Sequence, residues 1–293
     1  GKFGERWTKI CQAYGVEAIE LKVEWGQAVD PQAVREALKK NPGVKAVYWQ
    51  GSETSTGVAH PTKELAGIVR ETSAISVVDG ITAVGVIDIP SDDWGIDILV
   101  TGSQKALMLP PGLAFASVSP KAWELNKTAK CPRFYFDYKR ENKALQANTT
   151  AWTPATSLIV GLAEVLKMMK EETREKVFAR HTWLAHATRE AAQAMGLKLL
   201  APAAPSNALT AIWAPEGVDG GKIVKTLRND LGITIAGGQD HLKGKIFRIA
   251  HLGYFDRFDV ITAISATEMV LKKLGHKFQA GAGMAKANEL LGL

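Results

Sequence analysis

Two residues in this 293-residue sequence carry groups that could act together on one reactant: the carboxylate of Asp79 and the amine of Lys105. Asp79 directly follows an apolar run rich in β-branched residues at 74–78, and Lys105 closes Gly102-Ser103-Gln104-Lys105 after a second run at 96–101. A third run, at 44–49, is followed by Gln50-Gly51-Ser52-Glu53-Thr54-Ser55-Thr56-Gly57. In open parallel sheets ligands bind beyond the carboxyl ends of strands, so three such ends would offer hydroxyls, a carboxylate and an amine to one place. A carboxylate at the end of an apolar strand is costly to desolvate unless it meets a cation or donors, and the same holds for a lysine. A lysine amine can condense with an aldehyde and later move a proton, and a carboxylate can keep a ring nitrogen protonated. Pyridoxal phosphate needs both, because its cationic ring accepts electrons from the substrate α-carbon. On spacing alone, a plain Asp79–Lys105 salt bridge or two exposed loop ends explain the residues equally well, since strand ends carry polar residues by default.

The elements that would position these residues alternate through the first half. Helical patterns fall at 3–14, 30–40 and 61–71. Asp30-Pro31 reads as an N-cap followed by proline at the first helical position. Strand patterns fall at 18–23, 44–49, 74–78, 84–87, 96–101 and 113–118. Strands alternating with helices, apolar on both faces, predict an α/β fold with a parallel or mostly parallel sheet. The second half changes character. Long helical patterns run from 153 to 169 and from 171 to 195, the latter ended by Gly196. Short strands at 197–200, 208–213, 233–235 and 246–249 then mix with helices at 220–231, 258–274 and 280–291, an α+β texture. The expected division is a large domain over 1–160 and a small C-terminal domain over 161–293.

The composition, 46% hydrophobic and 23% charged, excludes a disordered or low-complexity chain. No run of about 18 apolar residues predicts a membrane span. Two cysteines, Cys11 and Cys131, are too few for a disulfide scaffold or a cysteine-rich zinc site, and no histidine spacing reads as a metal site. The net charge is +6, and seven basic residues between Lys121 and Lys143 face only Glu124, Asp137 and Glu141. With no nucleic-acid motif beside them, they read as a solvated face or a surface for an anionic ligand rather than a nucleic-acid site.

The wording of the motifs resembles the class V aminotransferases of PLP fold type I. The branch is that of alanine– and serine–glyoxylate or –pyruvate aminotransferases, with bacterial relatives labelled a 42 kDa subunit of a soluble hydrogenase. The resemblance runs over nearly the whole chain. It rests on Phe3-Gly4-Glu5-Arg6-Trp7, Ser52-Glu53-Thr54-Ser55-Thr56-Gly57, Val78-Asp79, Gly102-Ser103-Gln104-Lys105-Ala106-Leu107, Pro110-Pro111-Gly112 and Phe247-Arg248-Ile249-Ala250-His251-Leu252-Gly253. It implies that Lys105 carries pyridoxal phosphate as a Schiff base and that Asp79 partners the ring nitrogen. Thr54 would lie by the cofactor's phenolic oxygen and Gln104 would help hold its phosphate. Thr153 would reach the phosphate of a neighbouring subunit, whereas Thr150 stands where the family often has a tyrosine. Arg248 would grip the substrate carboxylate, as its planar fork suits. The implied function is transamination between a small amino acid, alanine or serine, and glyoxylate or pyruvate, by a homodimer; with no targeting peptide visible the expected location is cytoplasmic, and no metal or nucleic-acid partner is expected. The family's phosphate-cradling glycine turn and ring-stacking aromatic residue are expected upstream of Phe3, so the chain is expected to lack that segment.

Two alternatives stand beside this reading. A cysteine desulfurase or lyase of the same fold would need a placed thiolate and usually a histidine before the lysine, where Gln104 stands. A non-catalytic, truncated subunit would act through a partner. A nucleotide-binding Rossmann enzyme lacks its glycine fingerprint here. His251 is a candidate for lining the site, most of the histidines read as surface or capping residues, and the glycines at 237, 238 and 244 bracket either a lid or an ordinary turn.

Overall fold

The computed structural model describes residues 1–292. The chain begins with α1 (Lys2–Ala13), α2 (Pro31–Lys40), β1 (Ala46–Gln50), β2 (Ser52–Glu53), β3 (Val58–Ala59), α3 (Thr62–Arg70), β4 (Ile75–Asp79), α4 (Ser91–Trp94), β5 (Ile98–Gly102) and β6 (Ala114–Val118). It continues with α5 (Pro120–Thr128), α6 (Tyr138–Gln146), α7 (Thr156–Glu172), α8 (Arg174–Ala194), β7 (Leu209–Trp213), α9 (Gly220–Leu231), β8 (Ala236–Gly237), β9 (Ile246–Ala250), α10 (Arg257–Lys273) and α11 (Ala282–Leu291).

A four-stranded sheet in the order β1-β4-β5-β6 dominates the first half. Its first three strands are parallel and β6 returns antiparallel to β5, so the α/β sheet is mixed and mostly parallel. The register sets Gln50 against Asp79 and Asp79 against Val100, which brings the carboxyl ends of the parallel strands level. The apolar face of α3, through Leu65, Ala66, Ile68 and Val69, packs with Val34 of α2 against Trp49 and Val78. Asp30 caps α2 by accepting a 2.9 Å bond from the Gln32 amide, with Pro31 in the first turn, as the sequence predicts.

In the second half β7, β9 and β8 form an antiparallel sheet in the order β7-β9-β8. Phe247 and Ile249 of β9 join Ile212 of β7 and the inner faces of α8 to α11 in the largest core cluster. The period of a strand is two, so Arg248 between them must face the other way, as does Ile246, which packs with Leu200 and Ala211.

Four strand expectations differ from the structure. Residues 18–23 alternate correctly but pair with nothing among the described residues, and Ile19 and Leu21 stay exposed; alternation makes a strand only where a neighbour supplies the ladder. Residues 84–87 belong to a tight turn instead, in which the Val84 and Ile87 amides bond back to Gly80 and Ala83. Their apolar character reflects burial, which a short run cannot distinguish from a strand. Residues 197–200 contribute one isolated bridge, Leu199 to Ile212, and 233–235 precede rather than form the paired segment β8.

At the amino ends of the parallel strands, opposite the site, Asp97 is buried and closes a polar network. It accepts from the Ser76 amide at 3.0 Å and from the Ser119 hydroxyl at 2.7 Å, while its own amide donates to Ser76 Oγ at 2.8 Å. The network ties β4, the start of β5 and the cap of α5 together. Replacing Asp97 with alanine leaves buried donors unpaired. Urea unfolding of Asp97→Ala is expected to show a loss of about 3 kcal/mol, the cost of breaking charged buried bonds.

Candidate active site

The loop between β2 and β3 is built around one carboxylate. Glu53 is 1% exposed, and both its oxygens are saturated. Oε1 accepts from the Ser55 amide at 3.0 Å and the Ser55 hydroxyl at 2.6 Å; Oε2 accepts from the amides of Phe3 and Gly4 at 3.1 and 3.0 Å. Those two amides belong to the first turn of α1, where a negative charge also meets the positive end of the helix dipole. The loop closes at Gly57, whose φ of +72° favours glycine and whose Cα lies so close to Ala211 of β7 that a side chain would meet the Ala211 amide at 3.2 Å. Its carbonyl accepts the Ser206 amide at 2.7 Å, and Ser52 and Ser206 share a 2.7 Å hydroxyl contact. This loop therefore joins the two sheets.

Asp79 and Lys105 stand at the ends of β4 and just beyond β5. Asp79 Oδ1 accepts from the Ile81 amide at 2.9 Å, and its other oxygen has no partner among the described residues. Burial pushes its carboxyl above the usual range, partly offset by the Ile81 bond; the charge of Glu53 adds to the rise and that of Arg6 opposes it. Lys105 sits in a turn locked by the fully buried Ser103. The Ser103 amide donates to the Leu113 carbonyl at 3.0 Å and its hydroxyl to the Pro110 carbonyl at 2.7 Å, and the Met108 amide reaches back to the Lys105 carbonyl at 3.0 Å. Among the described residues neither Asp79 nor Lys105 enters an ion pair, so the simple salt bridge is not formed. Thr54 Oγ1 meets Thr82 Oγ1 at 3.0 Å, and Thr82 donates to the Ser52 carbonyl at 3.0 Å, which gives the hydroxyl of Thr54 a fixed place. Gln104 is exposed beside Lys105.

Arg248 comes from the other sheet. It is 7% exposed, donates from Nε to the Gly237 carbonyl at 2.9 Å and from Nη1 to the Thr54 carbonyl at 2.7 Å. Nη2 has no partner among the described residues. Burial lowers its pKa from the ordinary arginine value, and the charge of Glu53 works against that. The structure thus gathers Thr54, Asp79, Lys105 and Arg248 around the 52–57 loop and the ends of β4 and β5. Thr153 lies apart, exposed in the segment before α7, and Thr150 bonds only to the Trp152 carbonyl, at 2.6 Å.

Several residues depart from the sequence reading. His251 is fully buried in a closed set of bonds: Nδ1 donates to the Asn207 carbonyl at 2.9 Å, which leaves Nε2 to accept from Thr210 at 3.0 Å. It braces β9 rather than lining the site. His181 is also buried, not a surface residue. The glycine-flanked stretch before β9 is a packed turn, with Leu242 buried and its carbonyl against Gly238. Cys11 lies on α1 with its thiol pushed up by burial, the opposite of the activation a desulfurase asks of its nucleophile, and Cys131 is exposed in the basic segment before α6. Sequence reasoning gave no task to Glu53 or Gln50. A glutamate inside a run of serines and threonines, flanked by glycines, was the available signal, since only convergent donors make such a charge tolerable. Gln50 is 4% exposed, and its Nε2 has no partner among the described residues.

Comparison with known proteins agrees with this geometry. The family model described as "Aminotransferase class-V" matches residues 5–254. A Synechococcus protein named "Soluble hydrogenase, small subunit" is 44% identical, the match covering 99% of this chain and 77% of the relative. The serine–glyoxylate aminotransferase of Methylorubrum extorquens is 36% identical over 99% of this chain and 75% of its own length. The crystal structure of ureidoglycine–glyoxylate aminotransferase from Bacillus subtilis superposes with a TM-score of 0.94 at 29% identity, covering all of this chain and 77% of that one. The chain belongs to the class V aminotransferase family and has the PLP fold type I architecture of its relatives.

Two outcomes follow from the bonding. Glu53→Gln places an NH₂ group against a pair of donors on one side or the other, and urea unfolding is expected to show a loss of about 2 kcal/mol with faster amide exchange at residues 2–6. His251 titrates only at about 3 in the folded protein because burial opposes its charge, whereas an unfolded histidine titrates near 6.5. Between those values the unfolded state binds a proton that the folded state refuses. Stability therefore falls as pH drops from about 6.5 towards 3, and a series of melting temperatures should lose part of this slope in His251→Asn.

Proposed function

We propose that this chain catalyses transfer of an amino group between a small amino acid, such as alanine or serine, and a small 2-oxo acid, such as glyoxylate or pyruvate, with pyridoxal phosphate as cofactor. The observation that carries the reading is a carboxylate and an amine that form no ion pair among the described residues, at neighbouring strand ends, beside an arginine with part of its fork free. The class V aminotransferases as a family depend on pyridoxal phosphate, and the donor set fits it. The unpaired oxygen of Asp79 suits a ring N–H, the unpaired Lys105 amine suits an aldehyde, and the orphaned amide of Gln50, in register with Asp79, supplies a further donor. When bound, the cofactor supplies an electron sink for the bonds at the substrate α-carbon.

The residues of the chain would then divide the work. Asp79 holds the proton on the ring nitrogen; its lifted proton affinity reflects a half-buried carboxylate that gains by meeting a cation. Lys105 holds the cofactor and, once released by the incoming amine, moves the proton at the α-carbon. Arg248 Nη2 binds the substrate carboxylate, and the bonds of Nε and Nη1 to Gly237 and Thr54 keep the guanidinium from swinging. Thr54 and Gln104 would contact the cofactor's phenolic oxygen and phosphate.

The reading carries a homodimer with it. Phe134, Tyr135 and Phe136 are 64%, 54% and 85% exposed, and Tyr135 stacks on Trp152 at 4.7 Å, next to the exposed Thr153. An aromatic surface of this kind suits burial against a second copy, where Thr153 would reach the neighbour's phosphate. We divide the chain into a large domain over 1–160 and a small one over 161–293, with α7 as the boundary. The free thiols of Cys11 and Cys131 suit the reducing cytoplasm, where we place the reaction.

The experiment is a visible spectrum of the purified protein with pyridoxal phosphate, followed by L-serine or L-alanine and then glyoxylate. A cofactor band that bleaches with the amino acid and returns with the oxo acid is expected, and Lys105→Ala should abolish it. Arg248→Lys should keep the band while raising the amino-acid KM by about 10- to 100-fold, the worth of a charge-assisted hydrogen bond. A non-catalytic subunit, which the name of the Synechococcus relative would suit, predicts no spectral response to either substrate.

A further inference from the structure

The turn that follows the Arg248 strand touches the Lys105 turn, and its backbone is held by two α8 side chains to which the proposed reaction gives no task. Gly253 has a φ of +92°, and a side chain there would come within 3.4 Å of Met108 Cγ and 3.5 Å of the Lys105 carbonyl. Those are ordinary contact distances, so it is the left-handed backbone, not crowding, that asks for glycine here. Both backbone groups of Gly253 are then taken up from α8. Its amide donates to His181 Nε2 at 3.0 Å, and its carbonyl accepts from Arg180 Nη1 at 2.9 Å. The same Arg180 nitrogen donates to the Phe255 carbonyl at 2.9 Å.

The two side chains are themselves fixed. Arg180 Nε and Nη2 grip Glu172 Oε1 and Oε2 at 2.7 and 2.9 Å, a two-pronged pairing that sets the plane of the guanidinium. His181 Nδ1 donates to the Val177 carbonyl at 2.7 Å, which leaves Nε2 as the acceptor that the Gly253 amide needs. Leu252 packs against the small cluster of Val86, Ala106, Ala208 and Leu209, but the residues after Gly253 are open. Tyr254 is 74% exposed and Phe255 38%. A cavity of about 270 Å³, lined in part by Ala106, Met108, Arg180, His181 and Tyr254, borders it. On that side hydrogen bonds, not side-chain packing, decide where Gly253 sits.

Five residues upstream, on the strand that leads into this turn, is Arg248; against the turn lies Lys105. We propose that Arg180 and His181, backed by Glu172, are positioning residues that set the separation between the Lys105 amine and the Arg248 guanidinium, and so the fit for a small α-amino carboxylate. The inference rests on the roles given to Lys105 and Arg248 above. A displacement of about 1 Å between groups that must act on one small substrate is enough to cost about 100-fold in rate.

The test pairs hydrogen exchange with kinetics in Arg180→Ala, Arg180→Lys and His181→Phe. Exchange at residues 252–256 is expected to quicken while that of β7 and β9 stays as in the parent. The KM for L-alanine is expected to rise about 10-fold or more, with affinity for pyridoxal phosphate, read from the visible band, unchanged. Arg180→Lys, which keeps the charge without the fork, should lie between parent and alanine variant, and it serves if the alanine variant does not fold. Unchanged exchange at 252–256 overturns the proposal, as does faster exchange there with an unaltered KM, or a loss of protection spread evenly over the chain. A parent protein with no visible band overturns the reading of the reaction; the exchange measurement needs no cofactor, so that failure is told apart from failure of the clamp.

Discussion

The charge on Glu53 is the constraint on which the rest of the site depends. A carboxylate so deeply buried would be ruinous without partners, and here four donors converge on its two oxygens. Those donors come from α1 and from the loop itself, so satisfying the charge also fixes where the helix starts and how the loop turns. The loop then has a defined carbonyl at Thr54 for Arg248 and a defined carbonyl at Gly57 for Ser206. Two sheets formed by distant parts of the chain are joined through a loop that one side chain organises.

Polar groups elsewhere divide into closed and open sets. Asp97 and His251 sit among partners that exhaust their bonding capacity, and each braces a sheet. Around the strand ends the bonding is left incomplete: one oxygen of Asp79, the Gln50 amide and one arm of Arg248 have no partner among the described residues, and Lys105 forms no ion pair. Unmade bonds in a buried setting are expensive, so natural chains keep them chiefly where a ligand completes them. The contrast between the two sets marks the strand ends as a candidate site.

Much of this was legible from residues alone. Asp79, directly after one apolar run, and Lys105, four residues after another, were legible as strand-end groups, and the register sets those ends level; their assignment to one site came from the resemblance, since spacing alone suits a salt bridge or loop ends equally well. The cap at Asp30, the long helices and β9 followed from patterns that depend on neighbours within a few positions. The strands expected at 18–23 and 84–87 failed for opposite reasons. The first has the right alternation and no partner; the second has the right apolarity and is folded into a turn. Pairing and burial are both long-range properties, and a local pattern records only the preference for them.

By itself the sequence determined the kinds of groups available, the order of the longer elements and the family to which the chain belongs, because these are set by residue identity and short spacing. The tertiary structure alone decided which polar groups are closed and which are open. It put the Arg248 guanidinium on the Thr54 carbonyl across 194 positions of chain, and both backbone groups of Gly253 on α8. Whether a buried polar group finds a partner depends on what a remote segment brings within about 3 Å, and no local rule of spacing carries that information.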